Sequence, residues 1–593
     1  MIRSSVVPRP HRDKDPCPIG FVSGLLSFQL RANRIFSYFD SQPSFAFHVT
    51  LMDRRQFLIS SAGVAAASFH SCAPGGRVNS LAGEILGPSY KVGHLLRGNQ
   101  IPGPSSYRRV PVVIVGGGIA GLSAGWKLKK AGLHDFEILE LEPECGGNSR
   151  FGENQTTGYP WGAHYVPLPT RESKAVRELF AELGIIQGYS PGGEPRYEEQ
   201  YLCFAPQERL YRYGRWQEGL LPFLAVSKND LEQYDRFRDL MADYRSRRGS
   251  DGRKAFTIPM EFSSRDREFL ELDRISMREF LSRKGLNSAP LQWYVNHACR
   301  DDYGTEHSET SAWAGIHYFA SRGNEGSAEI ENASVLTWPE GNGWLVKQLQ
   351  WQLAKQIRSN SLAFHLTHGK RSAFVDYYDV RSQQSTRVEA EEVIVACPRL
   401  FASHLLGEAR RSTRRDEAFE YVPWLVANLS LREFPAERAG VPLAWDNVLY
   451  DSSALGYVVA THQSLRTHHR ETVFTYYYPL TASPVEAERT RLLETDWGSW
   501  SQFILKDLRK PHPEIERLVT RLDIFRWGHA MVRPKPGFIW GVARQHAAQP
   551  MGRIRFAHSD LSGFSIFEEA QYRGVFAAEQ VLESLRVPFT SSL

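Results

Sequence analysis

Residues 110–142 read V-P-V-V-I-V-G-G-G-I-A-G-L-S-A-G-W-K-L-K-K-A-G-L-H-D-F-E-I-L-E-L-E, and they carry the strongest structural pattern of the chain. Its first apolar run, Val112–Val115, is typical of a strand buried on both faces of a parallel sheet. Leu122–Ala131 then shows helical periodicity, Gly132 ends it, and Phe136–Leu139 predicts a second strand. The order of strand, glycine turn, helix and strand predicts a βαβ unit within a parallel sheet.

The turn between the first strand and the helix carries three glycines with the spacing G-x-G-x-x-G. Gly116 permits a tight turn, Gly118 lets the backbone approach a pyrophosphate, and Gly121 lets helix and strand pack closely. Ile119 and Ala120 open the helix, whose free N–H groups and positive dipole end favour phosphate oxygens. The turn is therefore predicted to bind a diphosphate.

An acidic residue follows at the end of the second strand. Glu140 lies 19 residues beyond Gly121, where its carboxylate can accept hydrogen bonds from a ribose diol. Further along, Gly146 and Gly147 precede Arg150, a pattern that indicates a second stretch of backbone close to the ligand. Because strand, glycines, helix, strand and acid occur in one unit, we expect a Rossmann-like dinucleotide-binding domain.

The segment Cys145–Arg150 resembles the flavin-containing amine oxidase and phytoene desaturase superfamily, whose members place G-G-R-[ST] here to touch FAD. Asn148 stands where the superfamily has its Arg, so the match departs from the pattern at that position. Trp161–Tyr165 then resembles the small-residue turn that follows in that superfamily. The resemblance implies flavin contacts from Gly162, Ala163 and His164.

The resemblance returns in two later places. Glu391–Pro398 matches the superfamily's late FAD-domain strand, and Arg555–Asp560 stands where the superfamily has F-A-G-D. By that match, Asp560 would hold the ribitol or a phosphate of FAD. A helix from about Ile566, which includes Ala570, would point its N-terminus at the flavin ring.

This layout implies an α/β fold in which a Rossmann-like FAD-binding domain of the glutathione reductase type is interleaved with an α+β substrate domain. The FAD-binding segments are predicted at 110–169, 336–419 and 536–593, and the substrate segments at 170–335 and 420–535. The first substrate segment is expected to be mixed but mainly helical. The second carries strand-like runs at Tyr421–Leu429, Gly456–Thr461 and Thr472–Tyr478.

Residues upstream of the fold contain a targeting pattern. From Met52 the chain reads M-D-R-R-Q-F-L-I-S-S-A-G-V-A-A-A-S-F, a charged start followed by a short apolar run and small residues. Residues 52–72 thus resemble a twin-arginine signal; the alternative is a chance Arg pair before a buried helix. Residues 1–51 are interpreted as an extension ahead of the true start codon, and 73–109 as a linker rich in Gly, Pro and Ser.

The targeting pattern and the composition predict the localisation of the protein and its binding partners. We expect export by the twin-arginine translocation machinery to the periplasm or the extracellular space. Lipid anchoring at Cys72 is not expected, because Phe69-His70-Ser71 is a poor lipobox. The net charge of +5 is too small to argue for nucleic acid. No run of about 18 apolar residues predicts a stable membrane span, and no Cys/His spacing predicts a metal site.

The resemblance implies an FAD-dependent oxidoreductase of amine oxidase type. Such an enzyme oxidises a C–H bond of a small-molecule substrate, usually beside nitrogen, by hydride transfer to flavin N5. FAD is expected to be non-covalent, because no cysteine follows Cys397. Two alternatives stay open: a phytoene-desaturase-like desaturase or isomerase of an apolar substrate, and a non-catalytic FAD-binding module. A carboxylate facing an aromatic pair would favour the amine, and wholly apolar walls would favour the desaturase.

Candidate catalytic residues come from two aromatic segments. Trp527 and His529 fall where the superfamily brings a strand toward the substrate side of the flavin. For His529 the alternative is a packed core histidine. Tyr477 lies in the run Tyr476–Tyr478, which either places rings into the cavity or forms a strand with alternating buried rings.

An acidic segment is open to two interpretations. In Cys299–Tyr303, the carboxylates of Asp301 and Asp302 stand beside aromatic and small residues. They could line the substrate cavity and meet a cation, or they could belong to a capped helix start with a solvated acidic turn.

Overall fold

The glycine-rich stretch forms the βαβ unit that its pattern predicts. The computed structural model describes residues 81–98, 100–322, 334–407, 418–466 and 468–593. The helix Ile119–Lys130 connects the strands Ser106–Val115 and Phe136–Leu139, which pair in parallel. The signal-like residues 52–72 and the extension 1–51 lie outside the described residues.

A seven-stranded sheet forms the centre of the dinucleotide-binding domain. Side chains from Val112 to Ile114 are fully buried in it, as their continuous apolar run predicts. The strands, in order across the sheet, are Ile357–Arg358, Phe136–Leu139, Ser106–Val115, Gln384–Val395, Ala373–Asp379 and Ser361–His368, and Ile554–Phe556 also pairs with Gln384–Val395.

A second, eight-stranded sheet carries the substrate domain. The three strand-like runs predicted in segment 420–535 are confirmed as strands of this sheet. Their β-branched and aromatic side chains alternate between its two faces, and each face packs into its own apolar cluster. The strands, in order across the sheet, are Ile85–Leu86, Val519–Val532, Tyr421–Leu431, Thr472–Pro479, Gly456–Val459, Asp446–Leu449, Glu208–Arg212 and Arg215–Glu218.

Helices pack around the two sheets. The long helix Phe567–Leu585 lies against Ile119–Lys130 in the core of the dinucleotide-binding domain. Segment 170–335 is largely helical in its described part, as expected, and it also gives two strands to the second sheet. None of the helices in the described ranges is long and apolar enough to cross a membrane.

The remaining elements are further helices and three small sheets. The other helices are Tyr90–Gly93, Lys174–Glu182, Lys228–Ser246, Arg267–Leu270, Met277–Arg283, Ala289–Tyr303, Ala312–Ala320, Gly343–Gln352, Arg399–Leu405, Val485–Glu494, Trp497–Leu508, Ile515–Leu518 and Val542–Ala547. Three two-stranded sheets pair Phe151–Glu153 with Gly158–Pro160, Tyr165–Pro167 with Val335–Thr337, and Ile186–Tyr189 with Pro195–Tyr197.

Residues 85–97 differ from the linker expected over 73–109. Ile85–Leu86 pairs in parallel with the edge strand Val519–Val532, and Tyr90–Gly93 forms a short helix. Two apolar residues among Gly, Pro and Ser are too short a run to signal a strand, and their partner comes from the far end of the chain. We call residues 85–97 the N-terminal strap.

Candidate active site

Two glycines of the turn, Gly116 and Gly121, leave no room for a side chain. A Cβ atom on Gly121 would lie 1.9 Å from the backbone oxygen of Gly116. Gly116 itself has φ +108°, a conformation that side chains rarely allow. Gly118 bridges to Gly146, so the second glycine pair lies against the first turn. The result is a surface of bare backbone at the start of the helix.

The carboxylate of Glu140 is fixed beside this turn. It accepts hydrogen bonds from the backbone N–H groups of Gly117 at 2.6 Å and Glu142 at 2.8 Å. Burial raises the pKa of Glu140, and the two N–H groups oppose that rise. The carboxylate therefore has a fixed position that suits the hydroxyls of a ribose.

A large cavity extends from the glycine turn to the start of the helix Phe567–Leu585, and we call it the cradle. Gly121 lies outside its lining, because it packs behind the turn. The predicted cofactor residues that line the cradle are Gly116, Gly118, Ile119, Ala120, Glu140, Gly146, Gly147, Arg150, Ala163, Asp560 and Ala570.

Asp560 is held in the cradle wall by three partners. The hydroxyl of Tyr421 donates to it at 2.6 Å, the backbone N–H of Arg399 donates at 3.0 Å, and His558 lies 3.1 Å away. Burial alone raises the pKa of Asp560, but His558 and Tyr421 bring it below its ordinary value. Asp560 is thus an ionised group at neutral pH, with its orientation set by the protein.

The N-terminal strap supplies a wall of the cradle that the sequence did not predict. Ser89, His94 and Arg97 line the cradle. Ser89 donates from its backbone N–H at 2.7 Å and from its hydroxyl at 2.9 Å to the carboxylate of Glu142. Arg150 pairs with the same carboxylate at 3.1 Å. These contacts latch the strap to the loop that follows the second strand.

A second cavity, of about 110 Å³, adjoins the cradle, and we call it the side cavity. Trp527, Ala530 and Ile566 contribute to both linings, so the two cavities meet at this wall. The arrangement places a small chamber next to one end of a long dinucleotide site. A ligand in the side cavity would therefore lie beside whatever occupies that end of the cradle.

The structure divides the remaining predicted residues between the two cavities. Gly162 and His164, predicted to touch the cofactor, line the side cavity and not the cradle. Tyr477 also lines the side cavity. His529, predicted for the substrate side, lines the cradle instead, and Trp527 lines both.

Aromatic rings form one wall of the side cavity. Tyr477 stacks on His164 with ring centroids 4.6 Å apart, and its hydroxyl donates to the backbone oxygen of Gly162 at 2.9 Å. Tyr476 faces the opposite side of the sheet, where its hydroxyl donates to Asp507 at 2.9 Å. Strand alternation thus sends one ring to the cavity and the next into the core, so both interpretations of the tyrosine run apply.

Two of the histidines in these cavities, His164 and His529, are neutral at physiological pH. Burial lowers the pKa of His164 to about 4, although a hydrogen bond with the backbone of Gly162 opposes the change. Burial, with help from Arg489 and Arg97, lowers the pKa of His529 to about 3. Neither ring therefore adds positive charge to the site.

Three carboxyl groups and one guanidinium line the side cavity. Arg322 pairs with Asp302 at 2.5 Å. Burial and the neighbouring Asp302 raise the pKa of Asp301 to about 7. Burial also raises the pKa of Glu568 to about 7, and its Oε2 atom has no hydrogen-bond partner among the described residues. The cavity thus has an excess of acidic groups that titrate near neutral pH.

Asp301 and Asp302 lie in the last turn of the helix Ala289–Tyr303. The interpretation as a capped helix start with a solvated acidic turn is therefore wrong. Asp302 is buried, because the helices of segment 170–335 pack this turn against the cavity.

Two residues of this acidic cavity escaped sequence reasoning. Glu568 lies in the first turn of the helix Phe567–Leu585, and the predicted approach of that helix to the flavin was the one available signal. Arg322 follows the helix Ala312–Ala320 and has no pattern that separates it from a surface arginine.

Comparison with known proteins agrees with this geometry. A family model described as an NAD(P)-binding Rossmann-like domain matches residues 114–183. The probable flavin-containing monoamine oxidase A of Dictyostelium discoideum is 23% identical over 324 residues, which are 53% of this chain and 62% of that protein. The chain spans between 14% and 62% of the length of the curated relatives it matches.

Solved structures share the fold. The structure of a putrescine oxidase triple mutant, redesigned in its cofactor binding, matches this chain with a TM-score of 0.61 at 16% sequence identity. The match covers 81% of this chain and 100% of the putrescine oxidase chain. A CLA-producing fatty acid isomerase from P. acnes matches this chain with a TM-score of 0.54 at 15% sequence identity. That match covers 80% of this chain and 98% of the isomerase chain. The chain therefore has an α/β Rossmann-like FAD-binding fold that resembles that of putrescine oxidase, with a mixed substrate-domain sheet.

FAD is the cofactor that this fold implies, and the residues of the cradle fit it. The bare glycine turn and the helix start at Ile119 suit a diphosphate, and the fixed carboxylate of Glu140 suits a ribose. The cradle is long enough to continue past Asp560 to Trp527, where the side cavity begins.

Proposed function

We propose that the protein is an FAD-dependent oxidoreductase of amine oxidase type, and that its substrate is a small cationic amine. The observation that supports this most directly is the acidic side cavity, where three carboxyl groups and one guanidinium stand among aromatic walls. Carboxylates and aromatic faces both attract an ammonium group. The cavity opens onto the cradle, so an amine bound there would lie beside the cofactor.

The protein's own residues would hold the amine. Arg322 neutralises Asp302, whereas neither Asp301 nor Glu568 has an ion-pair partner within 4 Å among the described residues. These two carboxyl groups are therefore the ones available to a cation. The stacked rings of Tyr477 and His164 give the amine an apolar surface and keep bulk water out.

A proton must leave the ammonium before a C–H bond beside the nitrogen can give up a hydride. The Oε2 atom of Glu568 has no hydrogen-bond partner among the described residues, and the pKa of this carboxyl is about 7. A group with that pKa can accept a proton at neutral pH. When bound, FAD supplies the two-electron acceptor.

The test is anaerobic titration of the purified, FAD-loaded protein with primary amines and diamines. These compounds are expected to bleach the yellow absorbance, and Asp301→Asn or Glu568→Gln should raise the concentration needed. Glu271→Gln removes an exposed carboxylate that pairs with Arg267, so this control should titrate like the wild type. Bleaching by polyenes or fatty acids, with none by amines, would overturn the amine assignment.

A desaturase or isomerase of an apolar substrate is the second candidate. Val426, Met531, Ile566 and Phe567 give the side cavity an apolar side. The carboxyl groups of the cavity count against this candidate, because an apolar chain would leave them buried without a partner. A protein that no amine and no polyene bleaches would instead fit a non-catalytic FAD-binding module.

We further propose that FAD is held non-covalently. Among the described cysteines, Cys397 lines the cradle, but it lies beside Gly116, at the diphosphate end. Burial raises the pKa of its thiol to about 12, so it is not a reactive thiolate. Acid denaturation is expected to release free FAD, and flavin that stays on the denatured chain would contradict this.

We also propose export by the twin-arginine route to the periplasm or the extracellular space. The support is the pair Arg54-Arg55 followed by Phe57-Leu58 and a short apolar run. Replacing both arginines by lysine should leave the FAD-loaded protein in the cytoplasm. Export that persists in the double-lysine variant would contradict the route.

A further inference from the structure

A third cavity, of about 340 Å³, lies on the face of the eight-stranded sheet opposite the side cavity. We call it the far-face cavity. Arg209, Trp216 and His512 line it, and none of the residues placed in the proposed reaction reaches it. Its contents would therefore be separate from both FAD and the amine.

Arg209 brings a buried positive charge to this cavity. The side chain is 3% exposed, and no carboxylate among the described residues lies within ion-pairing distance of it. Its Nε atom donates to Asn447 at 2.5 Å, Nη1 donates to the backbone oxygen of Val441 at 3.0 Å, and the guanidinium lies 3.8 Å above the ring of Trp216. Burial lowers the pKa of Arg209, yet arginine stays charged in proteins. A buried charge without a counter-ion destabilises the fold and attracts an anion.

His512 adds a hydrogen-bond donor that has no acceptor. Its Nε2 atom lies 2.5 Å from the hydroxyl of Tyr457, which also accepts a bond from Arg209 Nη2 at 3.5 Å. The hydroxyl therefore donates its own proton to Nε2, which leaves the ring proton on Nδ1. Nδ1 is buried without a partner among the described residues. Burial and Arg209 lower the pKa of His512 to about 3, so the ring is neutral and Nδ1 is a plain N–H donor.

Trp216 supplies a second unmet donor. Its indole Nε1 is also buried without a partner in the described part of the chain. Glu437 and Arg438 also line the cavity from an exposed loop, in which Arg438 pairs with Glu514. Two buried donors without acceptors thus stand beside a guanidinium that pairs with no carboxylate among the described residues, and one anionic acceptor in the cavity would serve all three groups.

We propose that the far-face cavity binds an organic carboxylate with a short apolar body. The planar fork of Arg209 matches a carboxylate, and the N–H groups of His512 and Trp216 satisfy its remaining lone pairs. The other lining residues include Phe434, Leu443 and Val459, whose apolar side chains suit the body of the ligand.

Isothermal titration calorimetry of the FAD-loaded protein tests this, with benzoate as the probe. Benzoate is expected to bind saturably. Benzamide, which lacks the charge, and inorganic phosphate, which lacks the apolar body, should each bind at least tenfold more weakly. The readout is the heat of binding, so the result is independent of whether the protein oxidises amines.

Two variants locate the bound carboxylate. Arg209→Gln and His512→Phe should each weaken benzoate binding at least tenfold, while an unchanged flavin spectrum reports an intact fold. Arg209→Lys keeps the charge but loses the planar fork, so it should also weaken benzoate binding. It replaces Arg209→Gln in the test if the Gln variant does not fold. Arg267→Gln removes an exposed arginine and should bind benzoate like the wild type. Absence of saturable binding, phosphate binding in place of benzoate, or full binding by the Arg209 and His512 variants would overturn the proposal.

Discussion

The guanidinium of Arg322 pairs with Asp302 at 2.5 Å and leaves the adjacent Asp301 without an ion-pair partner among the described residues. The two carboxyl groups share the last turn of one helix, yet their electrostatic surroundings differ. Burial and Asp302 raise the pKa of Asp301 to about 7. The pair thus consists of one neutralised carboxylate and one that gains its charge only near neutral pH.

We expect the affinity for a cation to rise with pH between about 6 and 8. Asp301 and Glu568 are protonated below a pKa of about 7 and ionised above it. A quaternary ammonium compound is the right probe, because its own charge does not change with pH. Asp301→Asn should weaken its binding about tenfold at pH 8, equivalent to about 1.4 kcal/mol, and much less at pH 6. An equal loss at both pH values, measured by calorimetry, would contradict this account.

Glu568→Gln is expected to stabilise the protein in alkaline solution. A carboxyl whose folded pKa is about 7, against an ordinary value of 4.5, favours folding while it is protonated. That contribution is complete below pH 4.5 and is lost as the pH rises through 7. At pH 8 the neutral amide should therefore raise the free energy of unfolding by about 1–3 kcal/mol. Thermal unfolding at pH 5 and pH 8 checks this, and a shift of equal size at both values would speak against it.

Gly121→Ala is expected to abolish retention of FAD. The added methyl group would meet the backbone oxygen of Gly116 at 1.9 Å, so the turn that presents bare backbone has to move. Gly103→Ala is the matched control, since a Cβ atom there meets no atom within 4 Å. Flavin absorbance per mole of purified protein measures the outcome. A yellow Gly121→Ala protein with the wild-type FAD content would refute the role given to the turn.

Glu142→Gln is expected to speed the release of FAD several-fold. The substitution removes the carboxylate that accepts two hydrogen bonds from Ser89 and pairs with Arg150, so the N-terminal strap loses its latch. Ser89→Ala should act in the same direction with a smaller effect. Stopped-flow flavin fluorescence after dilution into an FAD scavenger gives the rate. Glu271→Gln is the control, and release rates that match it would show that the strap does not retain the cofactor.

The βαβ unit could be predicted from sequence because its signals are local. Gly116, Gly118 and Gly121 lie within six residues, and the strands on either side are short apolar runs that need no distant partner to be recognised. The strap could not be predicted, because Ile85–Leu86 becomes a strand only by pairing with Val519–Val532. Two apolar residues have no period, and the partner strand follows hundreds of residues later.

The contents of the side cavity were only partly predictable for a related reason. The resemblance placed Gly162 and His164 near the cofactor, whereas in the structure both line the side cavity, where His164 stacks on Tyr477. Sequence likewise identified Asp301 as a charged residue, whereas its burial follows from how the surrounding helices pack. Local sequence patterns thus identified these residues as candidates for the site, whereas tertiary packing determines which of the two cavities each side chain lines.

The indole of Trp527 belongs to the walls of the cradle and the side cavity at once, and its N–H donates to the backbone oxygen of Trp161 at 2.7 Å. A single anchored ring therefore lines both cavities. With FAD in place, a compound that enters the smaller chamber would alter the tint of the solution before any turnover. The absorbance of the bound flavin would then report ligand binding, and inhibitors could be ranked by spectrophotometer without knowledge of the natural substrate.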